Sequence, residues 1–207
     1  MLLVTFFVSC VESPKVISIG KQVWMIQNLN VDEFQNGDPI PNAKTNLEWI
    51  KAAKNRQPAY CYFNNLDANG PKYGKLYNWY AVNDSRGLAP KGFHIPSEAE
   101  WEELRSFVIG SDDYDINCEL SKKIKSIDGW KKNKKKIMNG DNSTGFNAYP
   151  GGARLIDGQF EEIGFVSGWW TSTEVESEVA WDSYLDNNFG HSKFVKGGGL
   201  SVRCLRD

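Results

Sequence analysis

The chain has 207 residues, with 24 Lys and Arg against 26 Asp and Glu and a formal net charge of −2. That length serves one domain, or two very small ones, and the near-neutral balance excludes the broad positive field that non-specific nucleic-acid binding needs. Hydrophobic residues at 41% and charged residues at 24% exclude disorder over most of the chain, and eight Trp, eight Tyr, eleven Phe and nineteen Gly suit a loop-rich fold in which large rings cover irregular backbone.

Residues 1–15 read as a leader and tether. The apolar run Leu2 to Val8 is too short to cross a bilayer, which takes about 20 apolar residues. It matches the apolar core of a secretory signal, cut short. Ser9-Cys10 resembles the bacterial lipobox, in which the Cys is lipidated and becomes the mature N-terminus. A basic n-region is missing, and Phe7 stands where Leu is usual. The competing reading is a buried N-terminal strand. Export would place Cys61, Cys118 and Cys204 in an oxidising compartment, with one thiol left over after pairing. No CxxC and no Cys/His pair at ligand spacing points to zinc.

From Val16, "VISIGKQVWMIQNLN" alternates apolar and polar and predicts two strands turning at Gly20-Lys21. "QNGDPIPN" (35–42) is a turn cluster. "NLEWIKAAKN" (46–55) has the spacing of a short helix. "PAYCYF" (58–63) reads as a strand and 64–74 as a loop. "KLYNWYAVN" (75–83) fits a helix with Leu76, Trp79 and Tyr80 on one face, and 84–92 is a loop. In "GFHIPSEAEWEEL" (92–104), Ser97 and Glu100 form a capping box. Pro96 holds the entering chain extended, and Glu98 sits at the positive end of the helix dipole. Trp101, Leu104 and Val108 supply the apolar face. His94 precedes the cap in an extended segment, so the two glutamates beside it read as helix starters rather than as an acid–base set. An amphipathic stretch runs from Cys118 to Ile127. Residues 137–207 hold strand-like pieces between Gly and Asn. The expectation is one α+β domain over 16–207, helical mostly in its first half and built of hairpins in its second.

Several motifs in order carry a resemblance: "GKQVWMIQNLN", "NGDPIP", "PAYCYFNN", "YGKLYNWYAVND", "GLAPKGFHIPSEAEWEEL", "GFNAYPGGAR", "GWWTSTE" and the terminal "SVRCLRD". Together they resemble the Fibrobacter succinogenes major paralogous domain, a family of secreted and surface lipoprotein domains. "PSEAEW" and "SVRC" are also distantly similar to the formylglycine-generating, sulfatase-modifying enzymes. That likeness implies a C-type-lectin-like fold with two main helices, antiparallel sheets and long irregular loops. In such folds the terminal strands close the domain, which implies a Cys61–Cys204 disulfide; two buried free thiols are the alternative. The enzymes bind copper through a cysteine pair near the C-terminus. Here residues 119–207 hold only Cys204, so that oxidase chemistry is not expected.

Other chemistry finds little support. His94 and His191 are the two histidines. Neither lies near a G-x-S-x-G turn, and His191 in "NNFGHSKF" reads as a solvated hairpin tip. For calcium, Asn65, Asp67, Asn69 and Gly70 mimic the start of an EF-hand loop, but Leu76 stands where the bidentate Glu belongs. Asx-turns account for the same residues. "DDYD" (112–115) is a second acidic loop. No metal or other cofactor is expected, with calcium the one considered. The basic run 131–136 reads as a solvated loop, not a nucleic-acid site. The candidate binding residues are aromatic. Trp169 and Trp170 are adjacent on a strand and must face opposite ways, one into the core and one as a platform for a sugar or peptide. Trp181 and Tyr184, also facing opposite ways, and the amides Asn187 and Asn188 complete the set. The expected function is a lipid-anchored, non-catalytic adhesion module of the outer membrane or cell surface, binding glycan or protein. The alternatives are an enzyme on a formylglycine-generating-like scaffold and a structural subunit of a surface assembly.

Overall fold

The computed structural model describes residues 13–110, 117–119, 121–131 and 138–207. Cys10, the acidic loop 112–115 and most of the basic run lie outside the described residues. The alternating segment after Lys15 folds as the expected hairpin, β1 (Val16–Ile19) and β2 (Gln22–Met25). Gly20 at its turn has φ 61°, a left-handed conformation that costs glycine little. Helix α1 (Asn46–Lys54) starts at Thr45, whose hydroxyl accepts from the Glu48 amide while the Glu48 carboxylate accepts from the Thr45 amide. Next come β3 (Tyr60–Cys61), the short helix α2 (Gly70–Tyr73), β4 (Leu76–Asn78), the single-turn α3 (Trp79–Val82) and β5 (Phe93–His94). Helix α4 (Glu98–Val108) carries the capping box of Ser97 and Glu100 and buries Trp101, Leu104 and Val108, as its sequence requires. The second half is strands: β6 (Ala153–Arg154), β7 (Phe160–Glu161), β8 (Ser167–Glu176), β9 (Val179–Leu185), β10 (Phe189–Val195), β11 (Gly199–Leu200) and β12 (Leu205–Arg206).

Three antiparallel sheets result, in the orders β1-β2-β12-β5, β10-β9-β8 and β3-β4-β11-β6-β7. The fold is α+β with strands predominating. Strand β12 lies between β2 and β5, with Leu205 opposite both Trp24 and His94. Every tryptophan except Trp181 is buried in packing. Trp24, Trp101, Trp169 and Phe146 form one aromatic cluster under α4. Trp170, Tyr77 and Trp79 anchor a second, and Trp49 and Phe63 a third.

Two expectations need correction. Residues 75–83 are not one helix, because Leu76–Asn78 pair with β3 on one side and β11 on the other before the chain turns into α3. Cys61 and Cys204 are buried free thiols. Cys61 stands opposite Leu76 on one face of the β3–β4 ladder, in the cluster of Trp49. Cys204 belongs to the cluster that holds Tyr60 and Tyr77, which occupy the other face. The ladder itself separates the two sulfurs.

Candidate functional site

The sheet β10-β9-β8 has two faces of different character, set by the period-2 alternation of its strands. One lies under α4. There Trp169 stacks on Trp101 with ring centroids 5.2 Å apart, and Trp169 Nε1 donates to Asn28 Oδ1 at 2.9 Å. His191 shares this face, its Nε2 3.1 Å from Glu102 Oε2. The histidine is therefore no hairpin tip: it sits within β10, its side chain largely covered, and burial lowers its pKa below the ordinary value despite Glu102 and Glu98. The turn is made earlier, by Asp186, Asn187 and Asn188.

The opposite face forms a cleft. The register places Trp170 opposite Asp182 and Asp182 opposite Ser192, and it places Gly168 opposite Tyr184 and Tyr184 opposite Gly190. Phe194 follows on the same side of β10. Leu200 closes the cleft on one side, and the segment around Ala153, Leu155, Glu161 and Glu162 forms its far wall. The cleft, open to solvent, holds about 420 Å³. Gly168 helps create it, since a Cβ there would come within 2.9 Å of the Leu200 side chain. Glu162 takes the left-handed conformation, φ 64°, where a side-chain-bearing residue is uncommon. Its carbonyl accepts from the amides of Phe165 and Val166 in the turn it makes.

Asp182 is the chemically distinctive group of the cleft. It is only 5% exposed, and the Ser192 hydroxyl donates to its Oδ1 at 2.7 Å. Burial pushes its carboxyl up to about 6, against the opposing pull of the Ser192 hydrogen bond and of its own amide. A carboxylate so placed, beside the Tyr184 and Phe194 rings, presents strong acceptors next to flat apolar surfaces. Sequence reasoning named Tyr184 and missed Asp182, Ser192 and Phe194. Their alternation along β9 and β10 was readable, but it could not reveal that the segment 152–166 folds over them.

The fold from β1 to β12 coincides with one family match: the model of the Fibrobacter succinogenes major domain covers residues 17–206. The chain belongs to that family. No curated protein and no solved structure matches it. Within this major domain the other candidates are dispersed. Trp169 and Trp170 do face opposite ways, but both are fully buried, because each face of β8 is covered by a separate core cluster. Neither can serve as a platform. Trp170 instead donates through Nε1 to the Tyr77 carbonyl at 2.7 Å. Trp181 is half-buried on the α4 side of the sheet, with Lys193 Nζ 5.6 Å from its ring. Asn187 and Asn188 sit at the β9–β10 turn; the Asn187 carbonyl accepts from the Ser121 hydroxyl.

His94 is more engaged than its sequence setting suggested. Nε2 lies 2.9 Å from Glu100 Oε1, and Nδ1 lies 2.9 Å from Asp207 Oδ1. Burial lowers its pKa, but the hydrogen bonds to Asp207 and Glu100 outweigh it and leave the net direction upward. The other oxygen of Glu100 accepts from the Ser97 amide and hydroxyl, both at 2.8 Å. The cluster fastens the C-terminal segment to the start of α4. In the calcium-like stretch, Asp67–Asn69 form a 3-10 turn and Gly70 opens α2, so the chain coils where an EF-hand loop would wrap an ion. Among the described residues no group of three or more His, Cys, Asp and Glu gathers at metal-binding distance. Among them, too, no helix is long and apolar enough to cross a membrane.

Proposed function

We propose that this major domain is a non-catalytic glycan-binding module with a C-type-lectin-like fold, displayed at a cell surface by a lipid on Cys10. The observation that carries the binding role is the cleft itself. The Tyr184 and Phe194 rings lie beside the Asp182 carboxylate and the Ser192 hydroxyl in a concave space of about 420 Å³. A sugar ring offers apolar C–H faces to aromatic rings and hydroxyl donors to a carboxylate, so one ring could use both. A predominantly apolar concavity with a few convergent polar groups is the ordinary form of a small-ligand site. Surface display is supported by the apolar run before Ser9-Cys10 and by membership of a family whose resemblance implies secreted and surface proteins.

A glycan array read with the wild-type domain and with Tyr184→Ala and Asp182→Asn variants tests the site. Binding present in the wild type and lost in both variants is the expected result; binding that survives both removes the cleft from consideration. Mass spectrometry of the membrane fraction tests the anchor, and an unlipidated full-length soluble chain refutes it.

A further inference from the structure

A second concave site, outside the cleft, is built around a buried cation. Arg203 is 1% exposed. Four of its five N–H groups have partners: Nη1 donates to the carbonyls of Met25 and Phe146, at 3.0 and 2.7 Å, and Nε and Nη2 both donate to Asn28 Oδ1, at 3.0 and 2.7 Å. That one amide oxygen also accepts from Trp169 Nε1. The guanidinium carbon also lies 4.4 Å from the centre of the Phe146 ring, but among the described residues no carboxylate contacts it, and one N–H of Nη2 is left over. A buried charge is ordinarily paired, because desolvating it alone costs several kcal/mol. Burial pushes the Arg203 pKa down to about 9, so the group is still charged at neutral pH.

Arg203 and Asn28 line an open pocket of about 280 Å³ with Gln27, Lys72, Asn147 and Tyr149. The Lys72 ammonium sits 4.9 Å from the centre of the Tyr149 ring and 3.3 Å from Asp128 Oδ2. Asp128 and Lys72 are both solvent-accessible, so their pairing is the weak kind typical of surfaces. Two cations against one carboxylate leave the pocket with an excess positive charge. Amide donors come from Gln27 and from Asn147, which also bonds the Tyr149 hydroxyl.

We propose that this pocket binds a single oxyanion group, a carboxylate, sulfate or phosphate, between Arg203 and Lys72. The anion supplies the counter-charge that the interior withholds from Arg203. Nη2 and the Lys72 ammonium donate to it, and the Asn147 and Gln27 amides complete its shell. Charge-assisted bonds of this sort are the strong class of hydrogen bond.

The test is a titration of the intact domain with sodium sulfate, phosphate, acetate or glucuronate at constant ionic strength held by chloride, following the Arg203 Nε–Hε resonance by NMR. The expected result is a saturable shift with at least one of the four, and the tightest identifies the group. Lys72→Gln, a substitution at an accessible side chain, weakens that binding about tenfold or more, the value of one charge-assisted bond. Asp128→Asn removes the competing carboxylate and tightens it. Absence of a saturable shift with all four anions overturns the proposal, as does an affinity unchanged in both variants. In either case Arg203 is only a brace for the terminal strand.

Discussion

Replacing Asp182 by Asn separates the electrostatic cost of the cleft from its shape. The ordinary carboxyl pKa of 3.8 rises to about 6 at this position, chiefly through burial. Folding therefore favours the protonated acid. Below about pH 4 both folded and unfolded chains carry it protonated and no penalty applies. Between about 4 and 6 the folded chain binds more protons than the unfolded one, so stability falls as pH rises. Above about 6 the penalty is complete, at ~3 kcal/mol. Asn keeps the size and can still accept from the Ser192 hydroxyl, but it never ionises. Urea unfolding of the wild type and of Asp182→Asn across pH 3.5 to 8 gives the stability difference at each pH. Groups titrating alike in both chains, His94 and Glu100 among them, cancel. The variant should gain on the wild type by ~3 kcal/mol from the acidic to the neutral end of the range. A difference that stays flat with pH would show that the carboxylate is well solvated, and would remove the basis for a dry acceptor in the cleft.

The remaining predictions concern other parts of the molecule. The hydrogen bonds to Asp207 and Glu100 put the folded pKa of His94 above its ordinary 6.5, so the stabilisation is whole below that value and is lost as pH rises through the folded pKa. An NMR titration should find the elevation, and Glu100→Gln should reduce it; a wild-type value at or below 6.5 contradicts the contact. Ser97→Ala removes the cap of α4 and should cost ~1 kcal/mol in chemical denaturation, while an unchanged midpoint argues that the cap is not formed. Burial pushes the Cys61 and Cys204 thiols up to about 11 and about 12. Both should resist alkylation in the native domain and react fully in denaturant without reductant, and recovery of a linked Cys61–Cys204 peptide refutes the free-thiol state.

What the sequence revealed was local, and what it concealed was brought together from a distance. The capping box at Ser97 and Glu100 and the stripe of Trp101, Leu104 and Val108 were legible because α4 carries its own start signal and its own apolar face. The β1–β2 turn at Gly20-Lys21 was legible for the same reason. Residues 75–83 misled because Leu76, Trp79 and Tyr80 satisfy helical spacing. The pairing that makes Leu76–Asn78 a strand comes from Gly199-Leu200 and Tyr60-Cys61. Alternation gave the opposed faces of Trp169 and Trp170 correctly. It could not give their burial, which needs α4 on one side and the core around Tyr77 on the other. Asp182 carried no signal of its own, because the wall that desolvates it lies some twenty to thirty residues earlier in the chain.

The place of β12 in the middle of its sheet has a consequence in time. Leu205 must slot against Trp24, a residue 181 positions earlier, before β5 and β2 belong to one sheet. At ~5–20 residues per second, the ribosome needs roughly 10–40 s to synthesise the interval. During that interval the hairpin β1–β2 has no third strand, and two strands alone are marginal in water. The β1–β2 hairpin therefore waits for its third strand until the residues of β12 have been made.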